Sequence, residues 1–389
     1  MRVSHVITRL IIGGAQENTV SSVLGLRARH GVECTLISGP TTGPEGTIEP
    51  LVSEIPSLLT LVPTLVRPVR PWLDLRAQLA LTKIFRDQRP DIVHTHSGKA
   101  GLLGRLAARR ANVPVIIHTI HGPSFGPFQG ALTNLAFTTA ERVAADCTDH
   151  FVTVADSMRD QYLAAGIGRP QQYTRVFSGF NLAPFLAAQN DSTLRAQLGL
   201  EPDDFVVGKI ARLFELKGHD DLFAAAPELV RRCPRIKFLL VGNGPWRERF
   251  EQMSGDLGLE KHFIFTGLVP PSEVPRYVGV MDALVHLSRR EGLPRVLPQA
   301  LAAGKPVVAF DCDGAREVCL DGETGFLLKL GDQNGLAVAL GKLAEDAALR
   351  QLLGERGQAF VKERFPTERM VDELFALYER LLRERATRH

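Results

Sequence analysis

Glu291 and Gln299 stand eight residues apart in EGLPRVLPQA, and Arg212 and Lys217 stand five apart in ARLFELKG. The first pair puts a carboxylate in the loop at a helix entrance, where Pro294 suits the first turn, and a carboxamide about two turns further along. Such a pair can bind two hydroxyl-bearing rings, or it can be a helix cap and a surface glutamine. Pro298 would cost the interior of the expected helix a hydrogen bond, a choice that more often accompanies a tuned site than a plain scaffold. The second pair sets an arginine fork and a lysine point charge around a turn. Converging there, they would hold a diphosphate and stabilise its charge as it leaves. Two solvated surface charges would give the same spacing.

Gly13 and Gly14 precede a helical segment that starts near Ala15. They allow a tight turn and close backbone approach, and the helix N-terminus offers free N–H groups to an anion. A glycine pair in a strand-to-helix turn also occurs as plain turn chemistry. The GxGxxG dinucleotide fingerprint is absent, which argues against an NAD or FAD enzyme. His94, His96, His118 and His121 lie at strand ends with spacings that could present imidazoles to zinc. Hydrogen-bonded structural or substrate-contacting histidines are the commoner outcome, and no Asp, Glu or Cys follows at a ligand spacing.

Elements that would position these residues alternate along the chain as strand-length apolar runs and amphipathic helical segments, the pattern of α/β proteins with parallel sheets. The expected strands of the first half are 3–8, 33–38, 91–97, 115–121, 150–155 and 173–178, with helices at 73–87 and 102–110. Those of the second half are 206–211, 237–241, 263–266, 283–287, 306–310 and 325–329, with helices at 220–232 and 294–303. The turn-rich, polar stretch from Asn181 to Pro202 reads as a linker plus a connecting helix. The expected division is an N-terminal domain (1–182), a linker (183–202), a second domain (203–365) and a terminal helix (366–389). Two doubly wound sheets in series imply ligands beyond the carboxyl ends of their strands, where the segments above all lie.

A length of 389 residues suits two cores, and 44% hydrophobic with 23% charged residues is ordinary for a globular chain. A net charge of +3 is too small to argue for a nucleic-acid partner. Five scattered cysteines without a CxxC pair read as reduced thiols, with no disulfide and no zinc site expected. The apolar runs at the N-terminus and at 57–66 are too short and too soon broken to span a bilayer, so a cytoplasmic protein is expected. The stretch Arg67 to Arg76 mixes cations with Trp72 and would suit contact with anionic lipid at the inner face of a membrane, or be an ordinary loop and helix.

Taken together the segments resemble glycosyltransferase family 4, retaining enzymes of the two-Rossmann-domain GT-B fold. The resemblance is carried by ITRLIIGGAQENT, DIVHTHSGKAGLLGRLAA, HTIHG, ARLFELKGHDDL, FLLVGNGP, FTGLV, EGLPRVLPQALAAGKPVVAFDCDGAREV and DGETGFLL, in the family's order over nearly the whole chain. It is nearest to bacterial enzymes that build lipopolysaccharide or surface polysaccharide. The resemblance implies a nucleotide diphosphate sugar as donor and a hydroxyl of a glycan or lipid-linked acceptor. It implies that Arg212 and Lys217 hold the diphosphate, with backbone help from Gly13 and Gly14, and that His121 faces the donor sugar. Glu291 would accept from sugar hydroxyls, the backbone of Gly292, Leu293, Pro294 and Arg295 would complete the phosphate grip, and Val269 would meet the base. Gln299 departs from the family's EX7E motif, whose second Glu holds the ribose diol. A neutral amide there makes weaker hydrogen bonds than a carboxylate. No cofactor and no metal requirement are expected, and the terminal helix is expected to pack back on the first domain. Another GT-B activity, an epimerase or phosphorylase, and an inactive sugar-nucleotide-binding homologue are the alternatives.

Overall fold

Each expected strand forms, most of them as short apolar runs buried on both faces, as parallel strands covered by helices must be. The computed structural model describes residues 1–42, 46–126 and 128–387. The first part of the chain gives β1 (Arg2–Ile7), α1 (Gly14–His30), β2 (Glu33–Ser38), β3 (Leu59–Leu61), α2 (Pro71–Gln88), β4 (Ile92–His96), α3 (Gly98–Arg110), β5 (Val115–Ile120), α4 (Ala131–Ala145), β6 (His150–Thr153) and β7 (Tyr173–Arg175). Among the described residues these strands make one sheet in the order β3-β2-β1-β4-β5-β6-β7, with every pairing parallel. The order reverses between β1 and β4, the switch point at which such sheets open a crevice.

The second part gives α5 (Ser192–Gln197), β8 (Phe205–Ile210), α6 (His219–Arg232), β9 (Ile236–Val241), β10 (Phe263–Gly267), β11 (Ala283–His286), α7 (Val296–Ala302), β12 (Val307–Phe310) and β13 (Gly325–Leu328). Their sheet runs β10-β9-β8-β11-β12-β13, so its switch point lies between β8 and β11. After two further helices, Gln333–Glu345 and Ala347–Arg364, the chain enters α8 (Thr367–Ala386). Met370, Val371, Leu374, Leu377, Tyr378 and Leu381 form the buried stripe of α8 at helical spacing and join the core built on β1 and α1. At Gly25 of α1 a Cβ would come within 2.4 Å of Val371, so glycine there lets the two helices approach closely.

The chain therefore divides into a unit of Met1–Gly179 with Thr367–His389 and a unit of Phe180–Pro366. Residues 183–202, expected to be a linker, fold onto the second unit instead. Asp191 caps α5 by accepting from Thr193 and Leu194 backbone N–H groups, and the buried Arg195 donates to the carbonyls of Glu201, Asp204 and Val280. Turn formers and polar residues suggested a linker with a connecting helix; the helix forms as α5, but Asp191 and Arg195 tie the stretch into the second unit. β3 was not expected. It lies inside the apolar 57–66 run and is only three residues long and partly exposed. Among the described residues no helix is long and apolar enough to cross a membrane.

Candidate functional site

Both cation and carboxylate motifs of the second unit sit at its switch point, on the loops that leave β8 and β11. The two loops are stitched together. Arg289 N–H donates to the Leu216 carbonyl at 2.8 Å, and Lys217 Nζ donates to Glu291 Oε1. Gly218 makes this approach feasible: its φ is +65°, and a Cβ would lie 2.0 Å from the Leu287 carbonyl oxygen. Lys209, fully buried on β8, donates from Nζ to the Lys217 carbonyl at 2.7 Å and so supports the turn from below. Burial, and then the neighbouring Lys217 charge, push the Lys209 ammonium down to about 7, against smaller opposing effects of Asp221 and Glu291.

Glu291 is oriented from a second side. Its N–H donates to Asp313 Oδ2 at 2.7 Å, and Gly314 N–H donates to the Gly292 carbonyl at 3.0 Å. Burial alone would lift the Glu291 carboxyl, but Lys217, His286 and Ser288 outweigh it and hold the group below its ordinary range. His286 Nε2 lies 4.0 Å from Glu291 Oε1, and burial pushes that imidazole down to about 4. The site thus pairs the Glu291 carboxylate with Lys217 while Asp313 holds its backbone, an arrangement that can exchange the Lys217 contact for a ligand's phosphate and hydroxyls.

Arg212 is exposed, with its guanidinium 5.2 Å from the Phe214 ring centroid. Leu293 and Pro294 are buried and Arg295 partly so. Gln299 follows in α7, part-buried, with no side-chain hydrogen bond among the described residues. Val269 lies just past β10, at the edge of the same sheet. Pro298 does not cost the hydrogen bond expected of it. α7 begins at Val296, two residues later than expected, so Pro298 lies in the first turn, where its missing N–H has no helical partner to lose.

Gly13, Gly14 and His121 belong to the first unit. Gly13 caps α1 with an extended backbone, and the exposed Gly14 opens that helix. His121 follows β5 and ends a row of imidazoles. His5 Nδ1 lies 3.0 Å from His96 Nε2, and His96 Nδ1 lies 3.0 Å from His121 Nε2. His94 in the same row bonds the Tyr378 hydroxyl of α8 at 2.5 Å and the Thr119 hydroxyl at 2.6 Å. His118 is absent from this row. It pairs in register with Thr95, so its ring is on the opposite sheet face, bonded to the Thr95 hydroxyl at 2.9 Å. The four-histidine set considered from sequence is therefore split. His5, His94 and His96 do converge, yet both ring nitrogens of His94 and of His96 already have partners.

Sequence reading missed Lys209, Asp313, His286 and His5. Lys209, His286 and His5 read as ordinary strand residues, since local sequence does not show which strand neighbours which. Asp313 carried a signal within DCDGAREV, but its bond to Glu291 depends on a turn 22 residues away.

The chain matches the "Glycosyl transferase 4-like domain" model over residues 13–177 and the "Glycosyl transferases group 1" model over 190–360. It is 32% identical over 267 residues to the GDP-mannose-dependent alpha-(1-6)-phosphatidylinositol monomannoside mannosyltransferase of Mycolicibacterium smegmatis, covering 66% of this chain and 68% of that protein. It is 27% identical over 321 residues to the UDP-Gal:alpha-D-GlcNAc-diphosphoundecaprenol alpha-1,3-galactosyltransferase of Escherichia coli, covering 82% of each. Among solved structures it is similar in fold to Anabaena Alr3699/HepE in complex with UDP, with a TM-score of 0.81, 23% identity, and coverage of 97% of this chain and 100% of that one. With both halves matched in order and a relative at this identity, the chain belongs to the family 4 type of glycosyltransferases, enzymes of the GT-B fold built from two Rossmann-like domains.

Proposed function

We propose that this glycosyltransferase moves a sugar, with retention, from a nucleotide diphosphate donor bound by the second unit to a hydroxyl of a lipid-linked acceptor in surface-glycan assembly. The observation that carries the donor reading is the Lys217–Glu291 pair at the β8/β11 switch point, underpinned by buried Lys209. Arg212 and Lys217 hold the diphosphate, and Glu291, released from Lys217, accepts from sugar hydroxyls. The acceptor hydroxyl forms its bond to the anomeric carbon on the face from which the nucleotide diphosphate leaves. The departing phosphate oxygen takes the hydroxyl proton, so charge and atoms balance without an enzyme nucleophile. The cations do the electrostatic work that a metal ion does in other transferases, and no metal is needed.

Lipid-linked acceptors are favoured by the two relatives, which act on a diphosphoundecaprenol-linked sugar and on a phosphatidylinositol mannoside. Those two use UDP and GDP donors, so family membership leaves the base open. In the first unit a cavity of about 480 Å³ opens at the β1/β4 switch point, lined by Arg9, Arg67, Lys99, Leu102 and Phe137 among others. Val69 of this lining, and Trp72, Leu132 and Leu135 elsewhere in the unit, are exposed apolar side chains, which suits contact with a bilayer and its anionic headgroups. A panel of nucleotide sugars assayed for slow donor hydrolysis, with and without a strong chelator, tests the reading. One donor should be hydrolysed at the same rate in both conditions, with Glu291→Ala lowering it by about a hundredfold. Hydrolysis abolished by chelation would overturn the metal-free mechanism, and no turnover of any donor would overturn the enzymatic one.

A further inference from the structure

The imidazole row contains more order than a structural cluster requires. His5 on β1, His96 on β4 and His121 after β5 are joined end to end through Nδ1···Nε2 contacts of 3.0 Å each. At one end His5 Nε2 is fully buried with no partner among the described residues. At the other end the His121 ring is part-exposed, and its Nδ1 makes no hydrogen bond among the described residues.

Proton counting then fixes what the row can present. Three neutral imidazoles carry three N–H donors and three lone pairs. The two internal bonds consume two of each, which leaves one donor and one lone pair for the two ends. Either the donor is His5 Nε2–H, buried and unpaired, or it is His121 Nδ1–H, facing outward. Orphaned buried N–H groups are rare in folded proteins, and acceptors without a full set of partners are less so. The row therefore runs His5 Nδ1–H to His96 Nε2, then His96 Nδ1–H to His121 Nε2. Burial keeps the rings uncharged, pushing His5 and His121 down to about 3 and His96 well below its ordinary value.

We infer that His5 and His96 are positioning residues that lock His121 as its Nδ1–H tautomer, so that it offers a bound sugar a hydrogen-bond donor and never an acceptor. The group it recognises is then an oxygen with a free lone pair, such as a hydroxyl or carbonyl oxygen. That half of the inference rests on the reading of His121 as a donor-sugar contact, whereas the tautomer itself does not.

The two halves separate experimentally. Side-chain ¹⁵N–¹H correlation spectra of the full chain, with His121→Asn assigning its signals, report directly which ring nitrogen carries the proton. Asparagine places its amide nitrogen near the Nδ1 position and glutamine near Nε2. His96→Asn should therefore keep the Nδ1–H form of His121, whereas His96→Gln, whose amide reaches the position facing His5, should leave His121 Nε2 without a partner and release it to the Nε2–H form that a free imidazole prefers. Donor-hydrolysis kcat/KM should fall by about tenfold in His96→Gln, one hydrogen bond's worth, and by less than about threefold in His96→Asn. Unchanged thermal melting would assure that both variants are folded. A wild-type His121 protonated at Nε2, or equal effects of the two His96 variants on the tautomer, would overturn the lock. A correct tautomer switch with no change in kcat/KM would overturn the sugar contact and leave the lock standing.

Discussion

Lys209 is the residue whose chemistry differs most from its appearance in the sequence. Within the apolar strand FVVGKI it reads as an ordinary strand residue, but its ammonium is buried beneath the Lys217–Glu291 pair and is pushed down to about 7. The folded value is lower than the 10.5 of an unperturbed lysine, so between about pH 7 and 10.5 the folded chain binds fewer protons than the unfolded one. Stability then rises with pH through that window, with a slope of up to about 1.4 kcal/mol per pH unit from this one group. Below pH 7 both states hold the proton and the slope vanishes. Urea unfolding of Lys209→Met should lack this slope, and a wild-type curve parallel to that of the variant would show that Lys209 titrates normally. A diphosphate bound nearby would favour the charged lysine, so donor binding above pH 7 should take up a proton.

The loops at the ends of β8 and β11 show what an element must do to become a site. Gly218 has a left-handed backbone and also lies against the Leu287 carbonyl, whereas Gly199 shares a φ near +68° with nothing around it. Gly199→Ala should cost about 1 kcal/mol from backbone strain alone. Gly218→Ala adds a collision with backbone and should cost more than about 2 kcal/mol, while weakening nucleotide binding because Lys217 is carried with it. Chemical denaturation and isothermal titration with a nucleoside diphosphate separate the two variants. Equal costs would mean the loop yields without strain. Much at this scale was legible: the strands carrying the motifs were found within about two residues, because a run buried on both faces announces itself. What was illegible depended on register and packing. His118 falls on the opposite sheet face from His94 and His96 only because Thr95 is its partner. Residues 183–202 are rich in turn formers and polar residues yet integral, because Arg195 finds four carbonyl groups brought together by folding.

At the scale of the whole molecule each unit was legible as a doubly wound sheet, but the exposed apolar side chains of the first unit were only half anticipated. Arg67 to Arg76 drew attention by composition. Helix α4 did not, since Leu132 and Leu135 could have been core, and the structure leaves them 85% and 60% exposed. If this surface meets a bilayer, replacing Trp72, Leu132 and Leu135 together by serine should cut flotation with anionic vesicles by about tenfold or more. Donor hydrolysis and melting should stay unchanged, as none of the three is buried. Flotation insensitive to the triple variant would remove the surface from consideration.

α8 has a consequence for how this protein is made. The first unit is closed by a helix that follows the entire second unit in the chain, with His94 waiting on Tyr378 and Val371 filling the space above Gly25. During synthesis, the contiguous second unit can complete its core first, while the earlier-made sheet stands with its α8 groove open. Until residues 367–386 follow, the apolar residues of β1 and α1 that α8 covers stay open to solvent, a state prone to aggregation. A chain stopped at Pro366 would release an intact second unit and an unfinished first one.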